Sequence, residues 1–269
     1  MPAERPTRSR RPALPAFLLI PAGLGLVLFA LPLLGLVVRT PWRNLITLLA
    51  AEPVLDAVRL SLISSFGSVL IALVLGIPLA WILSRIPFPG RSLVRGLVLL
   101  PMVLPPVVGG AVLLFALGRR GLVGAPLYEA TGLVLPYTTV GVILAGVFVS
   151  MPLMVLTVEG GFRSLDPRYE QAAETLGAGG WTVLTRVSLP LITPAILAGS
   201  ALTWARALGE FGATLTFAGN LAGRTQTLPL AVFVALESDR DAALAISLVM
   251  VVISLAVLIT LRGHWWQSR

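Results

Sequence analysis

The sequence predicts an all-α polytopic membrane protein with six transmembrane helices and both termini in the cytoplasm. Three observations carry that prediction. The chain of 269 residues is 57% hydrophobic and only 12% charged, whereas an ordinary soluble domain carries about 25% charged residues. Six stretches are apolar over the roughly twenty residues that a helix needs to cross a bilayer. The arginines fall unevenly between the connecting segments, as membrane orientation requires.

The elements follow in order. The opening MPAERPTRSRRP is rich in proline and arginine. Residues 1–13 therefore read as a disordered basic tail suited to anionic lipid headgroups. The first span runs from about Leu14 to Val38. RSRR precedes it, as in a signal peptide, but the apolar run outlasts an h-region and no small-residue cleavage site follows. It reads as a retained helix, and with its outer loop it fills residues 14–55. A membrane core occupies 56–262, and residues 263–269 form a short cytoplasmic end.

Within the core the second span covers about Leu60 to Leu83 and the third about Leu97 to Leu117. The fourth covers about Thr138 to Val158, the fifth about Leu191 to Phe217, and the sixth about Ala243 to Leu261. The third contains LPMVLPPVVGG. Pro101, Pro105 and Pro106 each remove a backbone donor, and Gly109 and Gly110 permit close helix contact. That span is expected to be kinked and packed against neighbours.

With the N-terminus inside, the inner segments hold Arg5, Arg8, Arg10 and Arg11, then Arg85, Arg91 and Arg95, then Arg163, Arg168 and Arg186, and finally Arg262 and Arg269. The outer segments hold Arg39, Arg43, Arg59, Arg119, Arg120, Arg224 and Arg240. The excess lies inside, and it accounts for the net charge of +8 without nucleic acid as a partner.

Composition also excludes chemistry. The absence of cysteine removes disulfides, iron–sulfur clusters and thiolate zinc sites. The single histidine, His264, stands at the membrane edge, and no pair of carboxylates lies within a span. An intramembrane enzyme would need such groups, so no catalytic residue, metal or cofactor is expected. Lysine is absent, and a phosphate-binding P-loop requires one. Work driven by ATP must then come from a partner chain.

Between the fourth and fifth spans the chain turns polar, in DPRYEQAAETLGAGGWTVLTRVSLPLITPA. Asp166 is a helix cap, Pro167 suits the first helical position and Glu170 suits the first turn. Gly177 is a stop just past Leu176. The spacing predicts a helix of about ten residues with Tyr169, Ala172, Ala173 and Leu176 on one face. Arg168, Gln171, Glu174 and Thr175 fall mostly on the other. A face centred on two alanines permits close approach to another surface and buries little area. Such a helix needs tertiary or partner contacts to persist. An interfacial helix would carry bulkier apolar residues there.

The fifth span continues into WARALGEFGATLTFAGNLAGRTQTLPLAVF. Arg206 and Glu210 are four apart and can face each other as an ion pair near the cytoplasmic end of the span, or as part of a gate or pathway. Thr214, Thr216 and Asn220 offer polar groups that bond neighbouring backbone or line a route. Gly223, Arg224, Thr225 and Gln226 read as a polar outer loop.

QAAETLGAGGWTVLTRVSLPLITPAI resembles the EAA loop of bacterial ABC-importer permeases. Gln171, Ala172, Ala173 and Gly177 match in spacing, and Val187, Leu189 and Pro190 complete the pattern. The family's glutamate is replaced by Gln171, with Glu170 and Glu174 on either side. GEFGATLTFAGN, GRTQTLPLAVF and LPMVLPPVVGG are similar to the molybdate and sulfate branch, closer to molybdate. The resemblance covers nearly all of the chain after about residue 14. It implies the type I ABC importer permease fold in the bacterial inner membrane. It also implies that Tyr169, Glu170, Gln171, Ala172, Ala173, Leu176 and Gly177, in the loop 166–190, couple to an ATPase subunit present in two copies. A periplasmic or lipid-anchored binding protein would deliver the oxyanion to a permease homodimer. Sulfate or tungstate is the alternative cargo. A self-contained secondary transporter would not need the EAA-like loop and would place ionisable groups nearer mid-membrane.

Overall fold

The computed structural model describes residues 16–265; the expected basic tail over residues 1–13 lies outside them. Among the described residues the regular structure is helical throughout. The chain runs through α1 (Ala16–Arg39), the short α2 (Leu45–Leu49) and the long α3 (Glu52–Arg85). It continues through α4 (Arg91–Val103), α5 (Pro106–Leu117), α6 (Gly124–Thr131) and α7 (Thr139–Ser164). The polar stretch forms α8 (Pro167–Thr175) and α9 (Gly180–Val183), a π-helical segment (Leu184–Ser188) and α10 (Leu189–Leu191). Then come α11 (Thr193–Leu208), α12 (Gly212–Ala218), α13 (Leu228–Ser238) and α14 (Arg240–Trp265).

Among the described residues, α1, α3, α7 and α14 are long and apolar enough to cross a membrane. Gly180–Leu191 with Thr193–Leu208 adds a fifth span if that pair, bent by 71°, counts as one. This differs from six continuous spans, for local reasons. The third expected span is two helices rather than one kinked helix. Leu104 and Pro105 each precede a proline and are extended, at ψ 137° and 134°. A residue before proline is driven out of the helical region, and two in succession end a helix. The fifth expected span stops at Leu208 and resumes at Gly212 as α12. The helix α13 falls in a region assigned no span; its 11 residues are too few to cross.

The core is built around α7. Its Ile143 carbonyl accepts a hydrogen bond from Ser68 of α3 at 3.1 Å, and Met154 lies beside Gly76. The two helices therefore run parallel. On the other side α11 runs antiparallel to α7: Gly161 meets Ala195, Gly199 meets Met154, and Gly146 lies near Ala207. Small residues at these crossings let the backbones approach, which is how helices associate where lipid is as apolar as the side chains. The broken pair α4 and α5 traverses the length of α7. Val94 and Val98 pack on the cluster that holds Val155, Val158 and Phe162, while Leu113 belongs to the cluster of Ala145 and Val149.

The hairpin of α13 and α14 covers the start of α3 through Val54, Ala57, Leu228, Ala231, Ala243 and Ile246. Ser61 of α3 accepts from the Leu228 backbone N–H at 2.7 Å. It thereby satisfies an orphan donor at the N-terminus of α13. By contrast, none of the hydrophobic window of α1 is buried.

Candidate functional site: the α8 helix and the α11–α12 break

The α8 helix begins where its capping chemistry dictates. The Asp166 carboxylate accepts from the Arg168 backbone N–H at 2.9 Å, and Pro167 occupies the first turn. A cap of this kind is worth about 1 kcal/mol. The helix ends in a Schellman motif. Gly177, at φ +86°, donates to the Glu174 carbonyl at 2.9 Å, and Ala178 donates to Ala173 at 3.0 Å. Both ends are set by local bonds, and Glu170 ties the helix to the bundle, although none of its residues is buried.

Its two faces differ. Tyr169 is 57% exposed and Leu176 89% exposed. Ala172 is exposed and Ala173 half-buried. Tyr169, Ala172 and Leu176 of the stripe read from the sequence therefore point away from the bundle, while Ala173 is half covered; Trp181 of α9 is also exposed. Gln171 and Glu174 are exposed too. Glu170 turns inward. One carboxylate oxygen lies 3.0 Å from Arg85 at the end of α3. The other accepts from the Ser188 hydroxyl at 2.7 Å.

Behind this helix lies a charged layer. Arg91 and Arg95 of α4 donate to the Leu83 carbonyl, and Arg91 also reaches the Ser84 carbonyl at 3.3 Å. These carbonyls belong to the last turn of α3, which no intrahelical donor can satisfy. Glu159 of α7 is buried and pairs with Arg95 at 2.5 Å and Arg163 at 2.8 Å. A buried carboxylate is tolerated only when paired. Arg85, Ser188 and this glutamate were not singled out in the sequence. The available signal was a lone acid, Glu159, just past the fourth apolar run.

The second cluster lies at the break between α11 and α12. Arg206 and Glu210 meet at 2.7 Å, as their spacing predicts, although Glu210 stands beyond the end of α11. Glu210 is 3% exposed, and its second oxygen accepts from the Ala213 backbone N–H at 2.8 Å. It thus pairs a cation in α11 and caps α12. Thr214 is buried. Thr216 donates to the Gly212 carbonyl of its own helix at 2.9 Å. Asn220 follows α12, and its side-chain oxygen is buried without a hydrogen-bond partner. The structure thus groups Arg206 with Glu210 and leaves Thr216 occupied by local backbone. The α8 residues form a separate site.

A bundle of apolar helices with a capped amphipathic helix on one end defines a helical membrane protein. The comparisons identify which one. Residues 72–264 match the family model described as binding-protein-dependent transport system inner membrane component. The chain belongs to that family, the permease subunits of ABC importers, and is a multi-pass membrane protein. It is 44% identical over 248 residues to the molybdenum transport system permease protein ModB of Mycobacterium tuberculosis, covering 91% of this chain and 93% of that one. It is 41% identical to the Escherichia coli protein of the same name, over 81% of this chain and 95% of the other. The sulfate transport system permease protein CysT of Escherichia coli is 38% identical, over 90% and 88%. A bacterial ABC transporter that imports alginate has the same fold, with a TM-score of 0.75 at 20% identity over 94% of this chain and 95% of that one.

Proposed function

We propose that this chain, paired with a second copy of itself, forms the transmembrane path of a molybdate importer. A separate ATPase subunit, also in two copies, drives the path through α8, and an oxyanion-binding protein loads it from outside. The observation that carries the reading is the exposed stripe of Tyr169, Ala172 and Leu176, with Ala173 at its inner edge, on a helix capped at both ends. Such a face has no use within one chain and suits a groove on a partner. The absence of lysine, and so of any P-loop, agrees with ATP chemistry residing in that partner. The identity to molybdenum permeases supports molybdate as cargo. The relative named for sulfate makes sulfate, another tetrahedral dianion, the second reading.

In this reading the chain crosses the membrane six times. The broken pairs α4–α5 and α11–α12 each count as one crossing, and α1, α3, α7 and α14 supply the rest. Both termini and α8 face the cytoplasm, in keeping with the inner excess of arginine. The chain binds no cofactor of its own.

Substrate is tested by deleting the gene and measuring accumulation of labelled molybdate and sulfate at low external concentration. Molybdate uptake should fall to background and return on complementation, with sulfate uptake unchanged. The opposite pattern selects sulfate.

Arg206 and Glu210 sit where the fifth crossing breaks, and we assign them to the gate of the pathway. Glu210→Gln keeps an acceptor for the Ala213 N–H and strips the charge that Arg206 pairs with. Uptake should fall several-fold while the ATPase subunit still co-purifies in full. Unchanged uptake would make the pair purely structural.

A further inference from the structure

On the reading that α8 is the coupling helix, its displacement must enter the bundle somewhere. The side chains of α8 leave few routes. Among the described residues, Glu170 is the α8 side chain that forms a hydrogen bond or ion pair with another element. Asp166 and Thr175 bond within their own turns.

The two partners of Glu170 are well placed. Arg85 is the last residue of α3, the 34-residue helix that packs along α7. Ser188 is the last residue of the π-helical segment and is 1% exposed. That segment leads through α10 into the 71° bend and then α11. A π turn inserted between α-helical turns is an irregularity found mostly at functional positions.

The two links differ in kind. The Ser188 hydroxyl donates to the charged Glu170 carboxylate at 2.7 Å, closer than the Val183 carbonyl of the preceding helix at 3.4 Å, and a bond to a charged acceptor is roughly twice as strong as a neutral one. Arg85 Nη2 is 3.0 Å from the carboxylate, yet Nε and Nη2 make no hydrogen bond. That contact is Coulombic and tolerates sliding. One carboxylate therefore grips the π segment firmly and α3 loosely.

We propose that Glu170 is a positioning residue for transport: it conveys the movement of α8 into α11 through Ser188 and into α3 through Arg85. Its carboxylate is held on the bundle side by Arg85 and Ser188, so it does not stand in for the family's glutamate at position 171. Its role is to keep ATP hydrolysis tied to opening of the path.

The test uses the complete importer in liposomes: permease, ATPase subunit and loaded binding protein. ATP hydrolysis and oxyanion uptake are measured together for Glu170→Ala, Ser188→Ala and the double variant. Glu170→Ala should retain the ATPase subunit and hydrolyse ATP near the normal rate, while uptake per ATP falls about tenfold, within the usual range of coupling between sites. Ser188→Ala should lower the same ratio by a smaller factor. The double variant should be no worse than Glu170→Ala alone, because Glu170→Ala already removes the bond that Ser188→Ala removes. A normal ratio in Glu170→Ala, or losses that multiply in the double variant, overturns the proposal. Should Glu170→Ala fail to assemble, Ser188→Ala decides, since it leaves the charge pair intact; a normal ratio there overturns the proposal. A wild-type chain that does not assemble with the ATPase subunit would instead overturn the coupling-helix reading beneath it.

Discussion

Ala172→Arg should abolish uptake and prevent the ATPase subunit from co-purifying, while the chain still inserts and folds. The folding half of this expectation rests on exposure. Ala172 projects from the bundle, the Asp166 cap and the Gly177 turn hold α8 without it, and arginine is a good helix former. The binding half rests on the size and charge of the new side chain. An alanine at the centre of the stripe permits close seating in a groove. A guanidinium there holds the surfaces apart, or is buried without a partner. An uncompensated buried charge costs about 3–5 kcal/mol, and each 1.4 kcal/mol is roughly tenfold in affinity. Normal uptake and co-purification in this variant would show that α8 does not dock a partner.

Gly110→Val should strongly destabilise the contact between α5 and α12. A Cβ at Gly110 would lie 2.6 Å from Thr216 Cβ, 2.7 Å from the Ala213 carbonyl oxygen and 3.0 Å from Ala213 Cα. Two of these atoms are backbone, so relief requires α5 and α12 to separate. Overpacking of this kind costs about 1–3 kcal/mol, and a branched side chain falls at the upper end. Thermal unfolding of the purified permease in detergent should show a clear loss. Gly109→Ala is the control. Its added Cβ would meet only the Phe148 ring at 3.4 Å, an ordinary contact. Equal losses at the two positions would rule out the close α5–α12 contact as the cause.

Much of α8 was legible because its determinants are local. A cap, a proline and a glycine within twelve residues set both ends, and the helical period chose the exposed stripe. The Arg206–Glu210 pair was legible for the same reason. The breaks were less so. Successive prolines signal trouble, but whether a span bends or ends depends on what satisfies the freed backbone groups. The helix α13 was missed because 11 residues carry no span-length signal and because Ser61, far upstream in the sequence, caps its first turn. The inward turn of Glu170 was illegible for a related reason: Arg85 and Ser188 share no periodicity with it.

The small-residue seam joining α3, α7 and α11 has a mechanical consequence. Where Gly161 meets Ala195 and Gly146 lies near Ala207, the backbones of α7 and α11 come close through contacts with almost no side-chain rotamer freedom. These three helices form a stiff plate. Compliance is left to its margins: the π turn beside α8 and the gap between Leu208 and Gly212. On the coupling reading proposed above, a displacement at the first margin would pass through this seam to the second, as in a beam with a flexure at each end.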